Sequence, residues 1–531
     1  MRNPWVVALL ALTALRLAAA VLLPVSPDEA YYWVWGRALA PSYYDHPPMV
    51  ALWTAAGTAL AGNTGLGIRL LGPLGVAVAS ILLARAAEAL FPGRSAGPWA
   101  AALLNATLLF SAGAVLVTPD TPLLVFWCAA LWAVAALYRS GDGRWWLAFG
   151  LLAGLALLSK YTALLLGFGV VLWLVTEPTM RRWLLRWQLW AGGATALLCF
   201  APVIWWNSQH AWVSFAKQGG RAGSTSTGSS LRYLGELIGG QAALATPLIF
   251  LFCVVGTALA CRAWLRQRDA AAGLLVCVTV PAALLFLWQA TGSRVQGNWP
   301  AILYPSACIA AAAFLGPGWR RWKQAGIAFG AVVTVAVLVQ AAFSPIPLPR
   351  RNDPTLARLG GWPALAASVE QARLAQGAQF VAAEEYGLAS ELALHLPPGT
   401  PVVALGDRWD LFDLPSPRAG QTGLLIRSER RSGPPLWPDA QPAGEVVRAR
   451  VASRPSATGC MPCGWRKRAA SRGPAVASLN VTHPGATTVL SYMLEGRPGA
   501  WQCLFVFVAG GNFPNPLPRP STSCWAAARP R

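Results

Sequence analysis

Apolar runs of roughly 20 residues, the length a helix needs to cross a bilayer core, recur along the first two thirds of the chain, separated by short polar turns. They lie near 5–23, 66–90, 97–117, 121–138, 147–176, 188–206, 242–261, 271–290, 300–316 and 325–344. The first follows a lone Arg2 and meets no small-residue cleavage site, so it reads as an uncleaved span and not as a signal peptide. The run at 147–176 is the ambiguous one. As a single helix it would be about 45 Å long at 1.5 Å per residue, too long for a hydrocarbon core of about 30 Å, and Ser159-Lys160 sits near its middle.

Arginine placement chooses between one pass and two there, because Lys and Arg concentrate in cytoplasmic loops. With two passes and a cytoplasmic N-terminus, one side receives Arg85 and Arg94, Arg139 and Arg144, Arg181, Arg182 and Arg186, Arg262, Arg266 and Arg268, and Arg320, Arg321 and Lys323. A single pass throws the last three clusters to the other side. The pattern therefore predicts about eleven transmembrane helices in residues 1–344, with Lys160 at the outward tip of a short helix pair. Two outward loops, 25–65 and 205–241, are too long to be connectors and form the roof of an outward-facing cavity. Tyr31, Tyr32, Trp33 and Trp35 in the first are read as an interfacial aromatic belt.

Past about 345 the periodicity changes. Residues 363–376 and 388–396 have helical spacing, while 379–383, 401–405, 422–426 and 445–451 read as strands, which makes 345–452 a small extracytoplasmic α/β domain. The stretch 453–531 holds nine basic residues against the single acid Glu495, and its Pro, Gly, Ser and Arg runs break every period. It reads as an atypical tail, non-native or disordered. Cys460 and Cys463 invite a zinc site, but Cys503 and Cys524 do not make the second close pair such a site needs.

Composition agrees with the pattern: 55% hydrophobic and 12% charged residues exclude a soluble domain, whose charged share is about 25%. A net charge of +21 does not indicate nucleic acid, because the basic residues sit in short clusters between apolar blocks. Cys128, Cys199, Cys253, Cys261, Cys277 and Cys308 lie in or beside apolar runs at no ligand spacing.

Charged side chains are costly at a membrane, so those gathered on one side mark a site. Ser26-Pro27-Asp28-Glu29 is one such place; Ser26, Pro27 and Glu29 also spell a helix-initiating capping box, which accounts for Glu29 and leaves Asp28 over. Tyr44-Asp45-His46 puts an acid beside a titratable base, or makes a polar turn before a proline-initiated helix. Asp120 lies at a neighbouring outward turn, and Lys160, one of four lysines in the chain, is either functional or a snorkelling side chain. Asn207, Lys217, Arg221, Arg294 and Asn298 fall on the same side. A carboxylate under a roof with several cations suits group transfer from an anionic phospholipid, the carboxylate as base and the cations on the leaving phosphate.

In this order, Pro27-Asp28-Glu29-Ala30-Tyr31-Tyr32, Tyr44-Asp45-His46-Pro47-Pro48, Thr118-Pro119-Asp120-Thr121-Pro122, the segment 154–162 ending in Lys160-Tyr161-Thr162, Trp206-Asn207-Ser208-Gln209-His210, Gln296-Gly297-Asn298-Trp299-Pro300 and Ala389-Ser390-Glu391-Leu392-Ala393 resemble the GT-C membrane glycosyltransferases. The resemblance is in particular to the bacterial branch similar to protein O-mannosyltransferases and to the lipid A aminoarabinose transferase, over about residues 1–430. The resemblance implies an α-helical polytopic fold with a small outer domain and a polyprenyl-phosphate sugar donor. The sugar would pass to a lipid, glycan or protein acceptor, with inversion, on the outer face of a bacterial cytoplasmic membrane. Together with the placement of polar groups on one side, it makes Asp28 and Asp120 the expected catalytic residues and Glu29, Tyr44, Asp45, His46, Lys160, Asn207, Arg221, Arg294 and Asn298 the expected substrate-binding ones, Arg221 and Arg294 by their side alone and Lys160 on the donor phosphate. No metal ligand or firm cofactor is implied, and a divalent cation is left open. His46 departs from the lysine that aminoarabinose transferases carry there. The competing class is a transporter or lipid flippase. Against it, the polar groups gather at the outer face and no inverted repeat is visible.

Overall fold

The computed structural model describes residues 4–222, 230–346, 348, 358–449 without 407, 413, 415, 416, 419, 429, 430, 432, 438 and 439, and 501–509. Cys460 and Cys463 lie outside the described residues. Among those described, seven helices are long and apolar enough to span a membrane: Pro4–Leu22, Gly65–Leu90, Asp120–Ser140, Trp187–Gln209, Pro247–Gln267, Ala270–Gly292 and Pro317–Phe343. Shorter apolar helices are Met49–Ala61, Trp145–Leu157, Tyr161–Thr176 and Trp299–Phe314. The chain is a multi-pass helical membrane protein.

The run at 147–176 breaks at Ser159 and Lys160. Lys160 is extended (φ −161°, ψ 141°) and a single 3₁₀ turn, Tyr161–Ala163, restarts the chain as Leu164–Thr176. Another run, 97–117, is also split. Helix Ala96–Asn105 ends, Thr107 caps a second short helix Leu108–Gly113 through its Oγ1, and the helix Arg320–Phe343 lies against the break, its Gly330 so close that a Cβ there would sit 2.1 Å from the Ala106 carbonyl oxygen. Similarly, a Cβ on Gly150 would meet the Gly192 carbonyl oxygen at 2.0 Å, so the helices Trp145–Leu157 and Trp187–Gln209 touch backbone to backbone. In lipid, where apolar side chains gain nothing by leaving one apolar phase for another, such close packing is what holds helices together.

The two long loops expected to face outward, 25–65 and 205–241, are largely helical where described. The first contains Pro27–Trp35 and Met49–Ala61; the second extends the helix Trp187–Gln209 and adds Val213–Ala222 and Ser230–Ala245. Beyond the bundle, strands β1 (Phe380–Ala383), β2 (Val402–Ala404), β3 (Gly423–Ser428), β4 (Gln441–Ala449) and β5 (Trp501–Ala509) form one sheet in the order β2-β1-β3-β5-β4. β1 is parallel to β2 and β3, and β5 is antiparallel to β3 and β4. β5 comes from the stretch in which the sequence shows no period; WQCLFVFVA is nonetheless an apolar, β-branched and aromatic run of the kind a central strand needs. Helices Trp362–Ala375 and Tyr386–His395 belong to this outer part.

The outer sheet does not hang free of the bundle. Tyr31, Tyr32 and Trp35 pack into one buried cluster with Leu388, Leu392, Val381 and Leu425. At 2%, 7% and 0% exposure these rings are a core and not an interfacial belt. The aromatic run expected at the membrane surface instead packs three of its rings against the helix and strands of the C-terminal sheet.

Candidate active site

A cavity of about 480 Å³ opens between the outward helices and the sheet, and Asp28, Asp45, His46, Asp120, Lys160, Arg294 and Asn298 all line it. These residues come from distant parts of the chain, each placed by a local device. Ser26 caps Pro27–Trp35: its backbone N–H donates to Glu29 Oε2 at 3.0 Å and its Oγ accepts from Glu29 N at 3.4 Å. This fixes the first turn so that Asp28 and Glu29 leave it in different directions. Thr118-Pro119 starts the helix Asp120–Ser140, with Thr121 Oγ1 accepting from Thr118 N at 3.1 Å and donating to Gly113 O at 2.8 Å. The break at Ser159 presents Lys160.

Asp28, half-buried, accepts from the Tyr386 hydroxyl at 3.0 Å through Oδ1. Burial first, and Asp28 second, push the Tyr386 phenol up to about 12. Burial followed by Asp45 pushes Tyr31 well above the usual tyrosine range, and burial followed by Asp28 does so for Tyr32. These phenols therefore stay protonated, as donors, wherever the protein is folded and near neutral pH. Asp45 accepts from Tyr31 at 3.3 Å and lies 3.4 Å from the Arg408 guanidinium, which stacks over Tyr386 with 4.3 Å to the ring centroid.

Lys160 does not present a bare ammonium. Nζ donates to both oxygens of Asp120 at 2.8 and 2.9 Å, with each side chain 8% exposed, and Asn298 Nδ2 donates to Asp120 Oδ2. Asp120, expected to be catalytic, and Lys160, expected on the donor phosphate, thus stand on the cavity wall as a hydrogen-bonded ion pair. Arg294 sits at the rim, 72% exposed and 2.9 Å from Glu236.

Four expected ligands are not brought to this cavity. Glu29, 1% exposed, is bound bidentately by Arg69, Nε to Oε1 and Nη2 to Oε2 at 2.7 Å each, and Val117 N donates to Oε1 at 3.1 Å. Arg69 also donates to the carbonyls of Ala20, Leu23 and Pro24. Glu29 is thus the centre of a structural joint, with no lone pair spare for a substrate. Asn207 is fully buried, donating to Val203 O at 2.9 Å and accepting from Ser214 N at 3.2 Å, and so closes the turn between two helices. Tyr44 faces an adjoining cavity, and the side chain of Arg221 lies outside the described residues. Conversely, Tyr386, Arg408 and Arg358 also line the cavity; they come from the outer domain, and no sequence signal tied them to a membrane loop. Among the described residues no group of three or more His, Cys, Asp or Glu side chains gathers to hold a metal, so the open question of a divalent cation finds no ligand set there.

A second, apolar groove of about 460 Å³ runs between the helices Ser230–Ala245, Pro247–Gln267, Ala270–Gly292 and Trp299–Phe314, lined by Leu237, Phe250, Val254, Leu284 and Leu303 among others. The segment from Ser293 to Tyr304 contributes to both linings: Arg294, Gln296, Asn298 and Trp299 line the polar cavity, and Pro300, Leu303 and Tyr304 line the groove.

Residues 45–206 match the family model described as dolichyl-phosphate-mannose-protein mannosyltransferase. A lipid A galacturonosyltransferase of Rhizobium johnstonii is 28% identical over 309 residues, 58% of this chain and 64% of that protein, so the chain spans less than two thirds of that relative's length. In three dimensions the chain is similar to ArnT from Cupriavidus metallidurans bound to undecaprenyl phosphate (TM-score 0.58, 17% identity, 81% of this chain and 94% of that one) and to the same protein in its apo state (TM-score 0.53, 17% identity, 80% and 93%). With its helical bundle, its helical outward loops and its small outer sheet, the chain has the GT-C fold of the membrane glycosyltransferases.

Proposed function

We propose that the chain transfers a sugar from a polyprenyl-phosphate donor to a lipid A-type, other envelope glycan or protein acceptor at the outer face of a bacterial inner membrane. The observation that carries the reading is the segment 293–304, which lines a polar, carboxylate-containing cavity with its first half and an apolar groove between the helices with its second. A ligand with a charged sugar-phosphate head and a long hydrocarbon tail needs both, in that order. The head lies against Arg294 and Arg408, and the tail buries its apolar surface at roughly 25 cal/mol per Å² in the groove.

Asp28 takes the role of base. Its carboxylate has one partner among the described residues, a phenol, and so retains lone pairs for an acceptor hydroxyl. The proton of that hydroxyl passes to Asp28 as the acceptor oxygen bonds to the anomeric carbon. The anomeric carbon–oxygen bond to phosphate breaks, and the phosphate leaves on its polyprenyl chain. A single displacement of this kind inverts the anomeric centre. Arginine at the rim stabilises charge that grows on the leaving phosphate, which is where preorganised cations lower a barrier. The matched family model and the galacturonosyltransferase relative support glycosyl transfer, and the bound lipid of the ArnT structure supports the donor class. Purified protein, offered a polyprenyl-phosphate sugar and lipid A, tests the reading. Transfer that vanishes in Asp28→Asn supports it, and flux of lipid without turnover overturns it in favour of a transporter.

A further inference from the structure

Beside the candidate active site, and sharing Tyr386 and Arg408 with it as a common wall, lies a larger cavity of about 620 Å³. Its position is specific. One side is made by the carboxyl ends of the adjacent parallel strands β1 and β2, through residues 384–388 and 404–409, and the other by Pro27, Tyr44 and Lys217 from the outward loops. The crevice beyond the carboxyl ends of parallel strands is where open α/β sheets receive ligands. Here it is closed over by the membrane domain, next to Asp28.

The lining chemistry selects a ligand. Lys217, Arg408 and Arg431 supply cations to the lining, and Tyr44, Trp362 and Trp409 contribute aromatic edges to it, the last two being nearly buried and Trp362 carrying the Arg448 guanidinium on its face. The acids present offset these cations only in part: Arg408 is shared with Asp45 and Arg431 with Glu385, which leaves Lys217 as the cation with no ion pair among the described residues. Glu384 is neutralised from behind by Arg427 at 3.0 Å and accepts from Leu436 N at 2.8 Å, and Glu385 is 3.7 Å from Arg431. Lys217 holds its ammonium 5.2 Å from the Tyr44 ring centroid, with no carboxylate in ion-pair distance among the described residues. A concave lining in which cations outnumber acids suits a ligand carrying a negative group, which in a glycosyl acceptor is an anionic saccharide.

We infer that this cavity is the acceptor site and that it takes an anionic saccharide, bearing phosphate or carboxylate, whose hydroxyl passes Tyr386 to reach Asp28. The inference rests on the transferase reading, with donor and acceptor entering from opposite sides of the Tyr386–Arg408 wall. It also explains why the outer domain is bound so closely to the helix Pro27–Trp35: without the sheet there is no acceptor pocket.

The test uses the full chain in detergent and measures binding and turnover separately. Calorimetry with a phosphorylated glucosamine disaccharide, its dephosphorylated form and the acylated, phosphorylated lipid gives affinities that do not depend on catalysis. Expected are binding of the phosphorylated disaccharide, at least tenfold weaker binding of the dephosphorylated one, and at least tenfold weakening in Lys217→Gln/Arg431→Gln with an unchanged melting temperature. In turnover the same double variant raises the acceptor KM by at least tenfold and leaves the donor KM within twofold. Tighter binding of the acylated form with the same loss in the double variant assigns a lipid-borne acceptor, and equal affinity a soluble one. Equal binding by parent and double variant, or a rise in donor KM instead, overturns the inference. If the parent binds the phosphorylated disaccharide as expected yet transfers no sugar, the transferase reading fails while the anionic saccharide site stands.

Discussion

Glu29 and Asp28 leave the same turn of one helix into different surroundings. Glu29 enters a joint where Arg69, a backbone N–H and its own cap occupy the carboxylate, and where Arg69 in turn gathers three carbonyls from the end of the first span. Asp28 enters a 480 Å³ cavity with a phenol as its partner. The Asp120–Lys160 pair stands between these cases, on the cavity wall but internally neutralised. The difference teaches how to sort charges in a membrane protein. A carboxylate whose lone pairs are all held by fixed donors is a strut, however close it stands to a site, whereas one left half-satisfied on an open wall is available to a substrate.

The largest expected effect breaks the cavity side of this contrast. Asp28→Asn keeps size and the hydrogen bond from Tyr386 but cannot take a proton, so kcat should fall roughly a thousandfold, within the usual span for loss of a general base. The melting temperature should stay that of the parent. A kcat within tenfold of the parent removes Asp28 as base.

Glu29→Gln should do the reverse. Glutamine still suits the cap, but the amide leaves Arg69 charged and buried without its counter-ion, a loss of about 3 to 5 kcal/mol. The folded yield and thermal midpoint in detergent should drop while the surviving fraction turns over normally. A variant as stable as the parent would show that the joint does not hold the helix.

Between the two, Lys160→Met should strand Asp120 and lower both stability and turnover, roughly tenfold in the latter. Lys160→Met/Asp120→Asn should recover much of the stability, giving a coupling of about 1 to 3 kcal/mol between the pair in a double-mutant cycle. Additive losses would mean that the two residues act separately and would restore Lys160 as an independent ligand.

The smallest effect concerns the outer domain, where Glu391 is 1% exposed and 3.4 Å from His395 Nε2. Burial first, then Glu29, raises the Glu391 carboxyl well above its ordinary value of 4.5, against the opposing pull of Arg448 and Arg69. The folded protein then keeps a proton that the unfolded chain loses, so this group costs stability as pH rises above about 4.5 toward the raised value. Glu391→Gln should match the parent at low pH and become progressively more stable than it at higher pH. Thermal midpoints measured across that range check the sign, and a parent that gains on the variant with rising pH would contradict it.

The motifs around Asp28, Asp45, Asp120, Lys160 and Asn298 were legible in the chain because each is a polar interruption at the edge of an apolar run, and the arginine clusters put them on one side. Seven of the candidates meet in one cavity. Glu29 and Asn207, also expected as ligands, do not line that cavity, for an identifiable reason. Sequence shows that a polar group is present, and only packing shows whether Arg69 or a neighbouring backbone already satisfies it.

Hydrophobic periodicity alone thus determined that this chain lives in a bilayer and where most of its apolar helices run, because burial in lipid constrains every residue of a span locally. The tertiary structure decided what depends on partners far away in the chain. It brought Tyr386 of the outer domain to Asp28 across 358 positions, turned an aromatic run from a surface belt into a shared core, and set β5 into the sheet between β3 and β4. Contacts between distant segments leave no local period, so nothing in one stretch of sequence could announce them.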